Sequence, residues 1–404
     1  MGKIQAVAGR VTYTQKKYRF RLYGKNCIIV GENGAGKTSL LTDIHSRVES
    51  QIERGTAAHD IGYREGIRSQ IMYMNRDPSL EHNYQSGIKS NRDGLRRNIG
   101  NCLVKISRPL EMIEDFKKHK AIVKFFAASR KSEIREVKDA SAVHKDTKGI
   151  YGSYNYGHDL EQHLVNMQVR AALSSHHDKN DDAFNKINSW MKEFNESLKY
   201  LFEDDSVEAI FNPDELRYYI HQNGKLPFGF QSLSSGYSAI FGIFSDLLIR
   251  TEYYNVIPTE LSGIVLIDEI DAHLHISLQR KILPFFFKSF PEVQFIVTTH
   301  SPFVITSTDD SVIYDISKSR VSHDLSMYSL EAIVEGLLGV PAISKSLEDK
   351  IKRLLELTSM ASIPQEAVQI AKEISPYRDS MDSESRMHFE LALNKILKHK
   401  INGN

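Results

Sequence analysis

The pattern of apolar and polar residues begins with short strands and then becomes irregular. Residues 3–30 alternate as strands do, in IQAVAGRV and YRFRLY, and the continuous apolar run CIIV at 27–30 predicts a short buried strand. Residues 38–53 carry apolar side chains at helical spacing, which predicts a helix directly after that strand. Residues 55–150 are polar and uneven, and their pattern predicts no definite element.

The second half of the chain predicts helices around a few short strands. Residues 158–202 have the pattern of two helices separated by the loop SSHHDKNDD, and the stretches VEAIF and LRYYIHQ predict strands. A strong helix is predicted over 234–250, and the apolar runs IVLI and QFIVT are typical of strands buried in a parallel sheet. From about residue 329 the pattern is helical, with breaks at Pro341 and Pro364.

Composition narrows the class of protein. The chain has 404 residues, of which 41% are hydrophobic and 25% charged, enough for one large or two ordinary globular domains. Two isolated cysteines, Cys27 and Cys102, make neither a disulfide framework nor a zinc site, which favours a reducing cytoplasm. No apolar run resembles a signal peptide or a membrane span, so we expect a cytoplasmic location without membrane contact.

The charge balance restricts where a polyanion can bind. The formal net charge is +1, so no global field attracts nucleic acid. Residues 92–138 nevertheless contain 13 Lys or Arg against six Asp or Glu. This segment is either a nucleic-acid surface or an ordinary solvated face that pairs with an acidic partner, and the sequence leaves both interpretations open.

The first candidate for chemistry is the stretch VGENGAGKTSLL at 30–41. It contains the pattern G-x-x-x-x-G-K-[ST] in Gly31, Gly36, Lys37 and Thr38, placed after a predicted strand and before a predicted helix. Glycines let backbone N–H groups approach phosphates, and the helix N-terminus adds a favourable dipole. We therefore expect ATP here, with Lys37 reaching its β- and γ-phosphates and Thr38 holding Mg²⁺.

The second candidate is the acidic pair in IVLIDEIDAHLH. Asp268, at the end of a predicted strand, is expected to bind Mg²⁺ through water, and Glu269 to polarise the water that attacks the γ-phosphate. His273 and His275 follow closely, but no third metal ligand is evident. We therefore expect these histidines to shape a loop that faces a second subunit.

Two further motifs are candidates for contact with the γ-phosphate. In FQSLSSGYSAIFGIFSDLLIR, the serines and Gly236 open a helix and make an anion site, which we interpret as a surface for the γ-phosphate of ATP held by another copy. The alternative is an ordinary N-capped helix. In FIVTTHSPFVI, His300 ends an apolar strand and is a candidate sensor of the γ-phosphate, the alternative being a structural histidine.

These four motifs, in this order, resemble those of the ABC-type ATPases. Within them they resemble the RecF/SMC/OLD-like branch (AAA_15/AAA_21), because LSSGY stands where transporters carry LSGGQ and VTTHSPFVI is typical of non-transporter members. The resemblance implies an α/β fold, an ABC-type P-loop NTPase with a mixed sheet, a helical insertion and a C-terminal helical tail. It divides the chain into core halves 1–60 and 205–325, an insertion 61–204 and a tail 326–404.

The resemblance also assigns roles by position. The Walker A loop would comprise Gly31, Asn33, Gly34, Ala35, Gly36, Lys37, Thr38 and Ser39. The signature residues would be Ser234 and Gly236, acting on the ATP of another copy in a head-to-tail dimer. Asp268 and Glu269 would be the Walker B metal ligand and catalytic base, with Lys37 and His300 completing the catalytic set.

One position of the family pattern is missing. The usual Q-loop glutamine is not identifiable, and KFFAASRK, which contains Arg130, looks like the strand that normally leads to it. The D-loop of the family falls at 272–275.

More narrowly, LEQHLVNMQVRAAL, the signature helix and the helical tail resemble stand-alone ATPases of bacterial anti-phage islands, associated with Septu, PARIS or retron systems. In such systems the ATPase works beside a separately encoded effector, often a nuclease. The insertion has no sustained heptads, and the tail has no Asp-x-Asp with an upstream Glu in strand context, so we expect no nuclease site of its own. The alternatives are a RecF-like DNA-binding repair ATPase, a transporter motor and a self-sufficient nuclease.

Overall fold

The computed structural model describes residues 2–14, 16–130, 134–137, 155–177, 181–254, 256–339, 344–360 and 362–402. The chain divides into two compact units, Met1–Met327 and Tyr328–Asn404. Across the described ranges, every helix is too short or too polar for a bilayer crossing. Cys27 and Cys102 are buried free thiols.

The strands of the described residues all lie in the first unit. In chain order they are β1 (Ile4–Arg10), β2 (Lys17–Arg21), β3 (Asn26–Val30), β4 (Cys102–Ile106), β5 (Ala121–Phe126), β6 (Glu208–Asn212), β7 (Arg217–His221), β8 (Phe228–Gly229), β9 (Ser262–Ile267), β10 (Val293–Thr298), β11 (Ser311–Asp315) and β12 (Arg320–His323).

The α-helices run through both units. They are α1 (Lys37–Ile52), α2 (Thr56–Arg76), α3 (Glu81–Ile99), α4 (Pro109–Lys117), α5 (Leu160–His177), α6 (Asp181–Phe202), α7 (Ser235–Tyr254), α8 (Ile276–Gln279), α9 (Ile282–Ser289), α10 (Pro302–Ile305), α11 (Leu330–Ala332), α12 (Lys345–Leu357), α13 (Gln365–Ile374) and α14 (Ser383–Asn402).

A six-stranded sheet, in the order β12-β11-β3-β10-β9-β5, forms the centre of the first unit. All neighbouring pairs are parallel except β11 and β12, so the predicted α/β fold with a mixed sheet is confirmed. Every residue of β9 and β10 is buried, which explains why both were recognisable as continuous apolar runs. Because parallel strands end at the same edge, the carboxyl ends of β3, β9 and β10 meet there and position the functional site.

Two smaller antiparallel sheets flank this centre, in the orders β2-β1-β4 and β6-β7-β8. The inner face of the first carries Val7, Phe20 and Val104, which join the core cluster that includes the apolar face of α1. Strands β4 and β5 lie inside the stretch 61–204 that the sequence assigned to a helical insertion. That stretch therefore also supplies one edge strand of the central sheet and one of a flanking sheet.

A long helical hairpin, α2 and α3, occupies part of the stretch for which the pattern predicted nothing. Its helices have 21 and 19 residues and pack against each other. A Cβ at Gly94 would lie 2.5 Å from the Tyr63 ring, so the two helices approach closely at this glycine. The contact uses glycine and polar side chains instead of an apolar stripe, and hydrophobic periodicity therefore gave no signal.

A buried charged cluster ties α7 to the central sheet. Asp246 on α7 is fully buried and accepts hydrogen bonds from Arg250 Nε (2.8 Å) and from the Tyr156 backbone N–H (2.8 Å). Lys124 on β5 lies 3.9 Å from the same carboxylate. The helix that begins at the signature motif is thus bonded through its middle to an edge strand of the sheet.

The second unit is helical, as the sequence predicted from about residue 329. Helices α12, α13 and α14 enclose their own apolar cluster, which includes Leu354, Ala367 and Phe389. The predicted break at Pro364 is confirmed, since that residue is the N-cap of α13. The predicted break at Pro341 lies outside the described residues.

Candidate functional site

The loop between β3 and α1 has the backbone shape that its glycines allow. Gly36 has φ +95°, and a Cβ there would lie 2.6 Å from Val11 Cγ1, so the position admits no side chain without movement. The Glu32 backbone N–H donates to Ser317 Oγ (2.9 Å), which fixes the loop to the turn after β11. Val11 and Ser317 are contacts that the motif alone did not predict.

Lys37 begins α1 and points back into the loop. Its Nζ donates to the carbonyl oxygens of Gly31 (3.0 Å) and Glu32 (3.1 Å), and the residue is 7% exposed. Burial lowers the pKa of this ammonium, while the charges of Glu269 and Asp268 oppose that effect. A buried ammonium whose acceptors in the loop are neutral carbonyls fits an anionic ligand such as the phosphates of ATP.

The other loop positions fit the same ligand. The first turn of α1 contains no acidic residue, and its N-cap provides no side-chain hydrogen bond. Asn33, Gly34 and Thr38 are exposed, while Ala35 and Ser39 are partly buried. Thr38 would hold Mg²⁺ with Asp268 when a metal nucleotide is bound.

The acidic pair lies at the end of β9, beside β10. Thr298 Oγ1 donates to Asp268 Oδ1 (2.6 Å) and accepts from the Glu269 backbone N–H (2.7 Å), so one hydroxyl orients both residues. Asp268 is 2% exposed, whereas Glu269 is exposed and has φ +45°. This arrangement leaves the Glu269 carboxylate facing solvent, where it could accept a proton from a water molecule.

Arg130 is the main feature of the site that the sequence did not predict as functional. Its Nη1 donates to the carbonyl oxygens of Asp268 (2.9 Å) and Ala127 (3.3 Å), and its Nη2 donates to that of Glu269 (3.2 Å). The segment expected to lead to a Q-loop thus contains an arginine whose guanidinium donates to the backbone carbonyls of both acidic residues.

His300 follows β10 and is half-buried. Burial lowers the pKa of its imidazole, the charge of Lys37 lowers it further, and the charges of Asp271 and Glu269 oppose both effects. These electrostatic contacts place His300 with Lys37 and the acidic residues at one site. Thr299 Oγ1 also donates to Asp271 Oδ1 (2.5 Å), which fixes the loop that follows the acidic pair.

The start of α7 packs beside that same loop. Ser234 and Ser235 are exposed, while Gly236 is buried, and a Cβ there would lie 3.0 Å from the His273 carbonyl oxygen. His275 caps the short helix α8, its Nδ1 accepting from the Ser277 backbone N–H (3.4 Å). The predicted contact of Ser234 with ATP would involve a second copy of the chain, and it stays a prediction.

The basic segment 92–138 does not form one surface. Lys124 is buried against Asp246, and Arg130 lies at the acidic pair. Lys117 and Lys118 are exposed at the C-terminal end of α4, whereas Lys131 and Lys138 lie outside the described residues. The excess of positive charge along the sequence is therefore divided among different parts of the molecule.

Comparison with known proteins confirms the expected resemblance. Residues 131–306 match the family described as "AAA domain, putative AbiEii toxin, Type IV TA system". The chain is 24% identical to the retron Ec83 probable ATPase of Escherichia coli, in an alignment that covers 83% of this chain and 75% of that protein.

A second relative matches a shorter region. The Septu protein PtuA of Bacillus mycoides (strain KBAB4) is 32% identical over 132 residues, which are 30% of this chain and 16% of that protein. Among solved structures, the Smc head bound to the C-winged helix domain of ScpA has a TM-score of 0.40 at 13% identity, covering 81% of this chain and 100% of that chain.

Proposed function

We propose that this chain binds and hydrolyses ATP as a switch, and that two copies pair head-to-tail around the nucleotide. The observation that carries the proposal is the convergence of Lys37, Asp268, Glu269 and His300 at the carboxyl edge of one sheet. Each residue type has a role in phosphoryl transfer to water: a cation for the phosphates, a metal ligand, a base and a polar contact for the γ-phosphate.

Glu269 would act as the general base and Asp268 as the ligand of Mg²⁺, the ion that neutralises phosphate charge when it is bound. The exposed carboxylate of Glu269 is free to orient a water molecule, while its backbone is fixed by Thr298 and Arg130. Fixing the base before the substrate arrives lowers the reorganisation needed in the transition state.

The pairing of two copies would follow from the same phosphate. Ser234 and Ser235 are exposed at the start of a 20-residue helix, beside the loop that follows the acidic pair. If a second copy presents this surface to the γ-phosphate, the nucleotide is held from both sides, and hydrolysis removes the shared ligand. The state of the dimer would then report whether ATP is intact.

The switch would control a separately encoded effector, such as a nuclease or toxin, in bacterial anti-phage defence. This part of the proposal is supported by the similarity to ATPases named for retron and Septu systems. A phage-plating assay tests it. Cells carrying the chain with its neighbouring gene should resist phage, and Lys37→Ala should abolish that resistance.

The biochemical core is tested with Glu269→Gln, which keeps the size of the side chain but removes the base. We expect this variant to hydrolyse ATP at least about 100-fold more slowly and to accumulate as a dimer with ATP, measured by light scattering after gel filtration. Lys37→Ala is the control, since it should neither bind ATP nor dimerise. A Glu269→Gln protein that stays monomeric with saturating ATP would refute the pairing, and unaltered hydrolysis would refute the assignment of the base.

A further inference from the structure

The outer face of the small sheet β2-β1-β4 is a basic surface that the ATP-binding site does not use. Strand β2 exposes Lys17, Arg19 and Arg21 at every second residue. Strand β1 adds Arg10, and β4 adds Lys105, both exposed. These three strands contain no Asp or Glu.

Strand pairing brings these residues onto one face. Arg21 is opposite Ala6, and Ala6 is opposite Lys105, so the two cations lie in one row across three strands. Arg10 is likewise opposite Lys17, and Ala8 lies between Arg19 and β4. Residues that pair directly across strands point to the same side, and the opposite side is the buried core face. The five cations, which we call the basic face, therefore share one solvent-facing surface.

The shape of the basic face suits a polyanion. Ala6 and Ala8 are small, which leaves a shallow trough between the side chains of β2 and Lys105, about 10 Å apart across two strand spacings. At one end, Arg10, Lys17 and Arg19 line a cleft of about 630 Å³ together with Asn101 and Ser319. Alternate residues of β2 are about 7 Å apart, close to twice the axial spacing of about 3.4 Å between phosphates of one B-DNA strand.

The cations of the basic face have no carboxylate partner among the described residues. None of them takes part in an ion pair there, and Arg21 instead donates to the Tyr23 hydroxyl (3.5 Å). The whole chain has 52 basic and 51 acidic residues, so a surface that carries only positive charge is a local exception to this balance.

Protection of an exposed sheet edge does not account for this arrangement. Lysine on an edge strand hinders edge-to-edge pairing, and β2 is an edge strand. However, Arg10 lies on the central strand β1, and acidic residues would protect an edge equally well. Edge protection therefore does not explain why all five charges of this surface are positive.

We propose that the basic face binds the sugar-phosphate backbone of nucleic acid, without reading its bases. The inference goes beyond the proposed ATP switch and does not depend on it. It also places the polyanion site mostly outside the segment 92–138, since Lys105 is the one residue of the basic face that belongs to that segment. Five phosphate contacts would make the logarithm of the binding constant fall with that of the salt concentration, with a slope of about −4.5 on duplex DNA or −3.5 on single strands.

The test is fluorescence anisotropy of the full-length protein, without ATP, on a labelled 30-base-pair DNA duplex, a 30-nucleotide DNA and a 30-nucleotide RNA between 50 and 200 mM KCl. The three probes identify which nucleic acid is bound. The test variant is Arg19→Glu with Arg21→Glu. The control is Lys117→Glu with Lys118→Glu, which changes the net charge equally on exposed residues at the C-terminal end of α4. We expect the test variant to bind at least 10-fold more weakly at 100 mM KCl and its slope to shrink by about 2, with the control unchanged.

Three results would overturn the inference. They are the absence of salt-dependent binding to all three probes, an equal loss in both variants, and binding of poly-glutamate as tight as that of nucleic acid, which would indicate an acidic protein partner. The neutral pair Arg19→Gln with Arg21→Gln guards against misfolding of the reversed variant. It should melt within a few degrees of the wild type and still lower the affinity.

Discussion

The guanidinium of Arg130 donates to the backbone carbonyl of Asp268 at 2.9 Å, and the same side chain reaches the carbonyl of Glu269 at 3.2 Å. Glu269 has φ +45°, a conformation that non-glycine residues adopt only when the surroundings impose it. Arg130 thus fixes the backbone on which the proposed base is mounted, while its own charge lies close to the acidic pair.

We therefore expect Arg130→Ala to lower kcat for ATP hydrolysis about 10- to 100-fold, with the dissociation constant for ATP changed less than threefold. Removing the guanidinium leaves two carbonyls without their donors and releases the backbone of Glu269, but it touches none of the residues expected to hold phosphate. Arg130→Lys should recover part of the loss, because an ammonium can reach one carbonyl but cannot span both.

Arg135→Ala is the matched control for Arg130. Arg135 is exposed, and its guanidinium pairs with Asp159 (3.1 Å) away from the acidic pair. Steady-state kinetics and nucleotide titration should show wild-type values for this control. A change in ATP affinity as large as the change in kcat for Arg130→Ala would show that Arg130 contributes to binding and not to positioning of the base.

The elements around the site could be predicted because each is a local pattern. Strands β9 and β10 are buried apolar runs, with Asp268 directly after β9 and His300 two residues after β10, and the glycine loop follows the apolar run of β3. Such patterns need no knowledge of distant residues. The four motifs also indicated which strand ends must meet, since parallel strands place their carboxyl ends together.

What could not be predicted depends on contacts between distant residues. Arg130 is one of many basic residues in its segment, and its role emerges only when β5 pairs beside β9. The basic face likewise needs the register that sets Arg21 opposite Ala6 and Ala6 opposite Lys105. The alternation of Lys17, Arg19 and Arg21 along β2 is visible in the sequence, but the pairing that joins them to Arg10 and Lys105 is not, because it depends on strand register.

The charged cluster around Asp246 makes a prediction about stability. Asp246→Asn would remove the buried carboxylate that pairs with both Arg250 and Lys124, and we expect the free energy of unfolding to fall by about 3–5 kcal/mol. Lys124→Met should cost less than about 1 kcal/mol or be stabilising, since it removes a charge that burial penalises and keeps the bulk of the side chain. Urea unfolding followed by circular dichroism measures both.

The Lys124→Met variant also has a pH test. Burial lowers the pKa of Lys124 to about 8 in the folded protein, while in the unfolded chain it keeps its ordinary, higher value. Between these values the unfolded state binds more protons, so this residue makes the free energy of unfolding rise with pH above about 8. Lys124→Met should remove that rise, and the difference between wild type and variant should change by about 1–2 kcal/mol from pH 7.5 to 9.5. A constant difference would contradict a penalised charge at this position.

His300 makes a prediction about the pH dependence of hydrolysis. Burial and the nearby charge of Lys37 lower the pKa of its imidazole below the ordinary value, so the ring is neutral at pH 7. If the neutral ring is the active form, kcat/KM should be constant from pH 8 to about 6.5 and fall at lower pH as the imidazole gains a proton. His300→Gln should lack the part of this fall that comes from the imidazole. Activity that rises as the pH falls below 6.5 would assign the active form to the imidazolium.

The head-to-tail arrangement is tested most directly by mixing two inactive proteins. Lys37→Ala disables the phosphate loop, and Ser234→Arg places a bulky side chain at the exposed start of α7. If each nucleotide is held by the loop of one copy and the serines of another, a mixed dimer contains one intact site made from the wild-type halves of both. Because neither variant can pair with itself around ATP, an equimolar mixture should form mixed dimers only and restore at most about half of the wild-type sites, measured as phosphate release. Mixing Lys37→Ala with the double variant Lys37→Ala/Ser234→Arg is the control, because no combination of its halves restores a site. Activity absent from both mixtures would contradict the contact in trans and indicate that Ser234 acts on the nucleotide of its own chain.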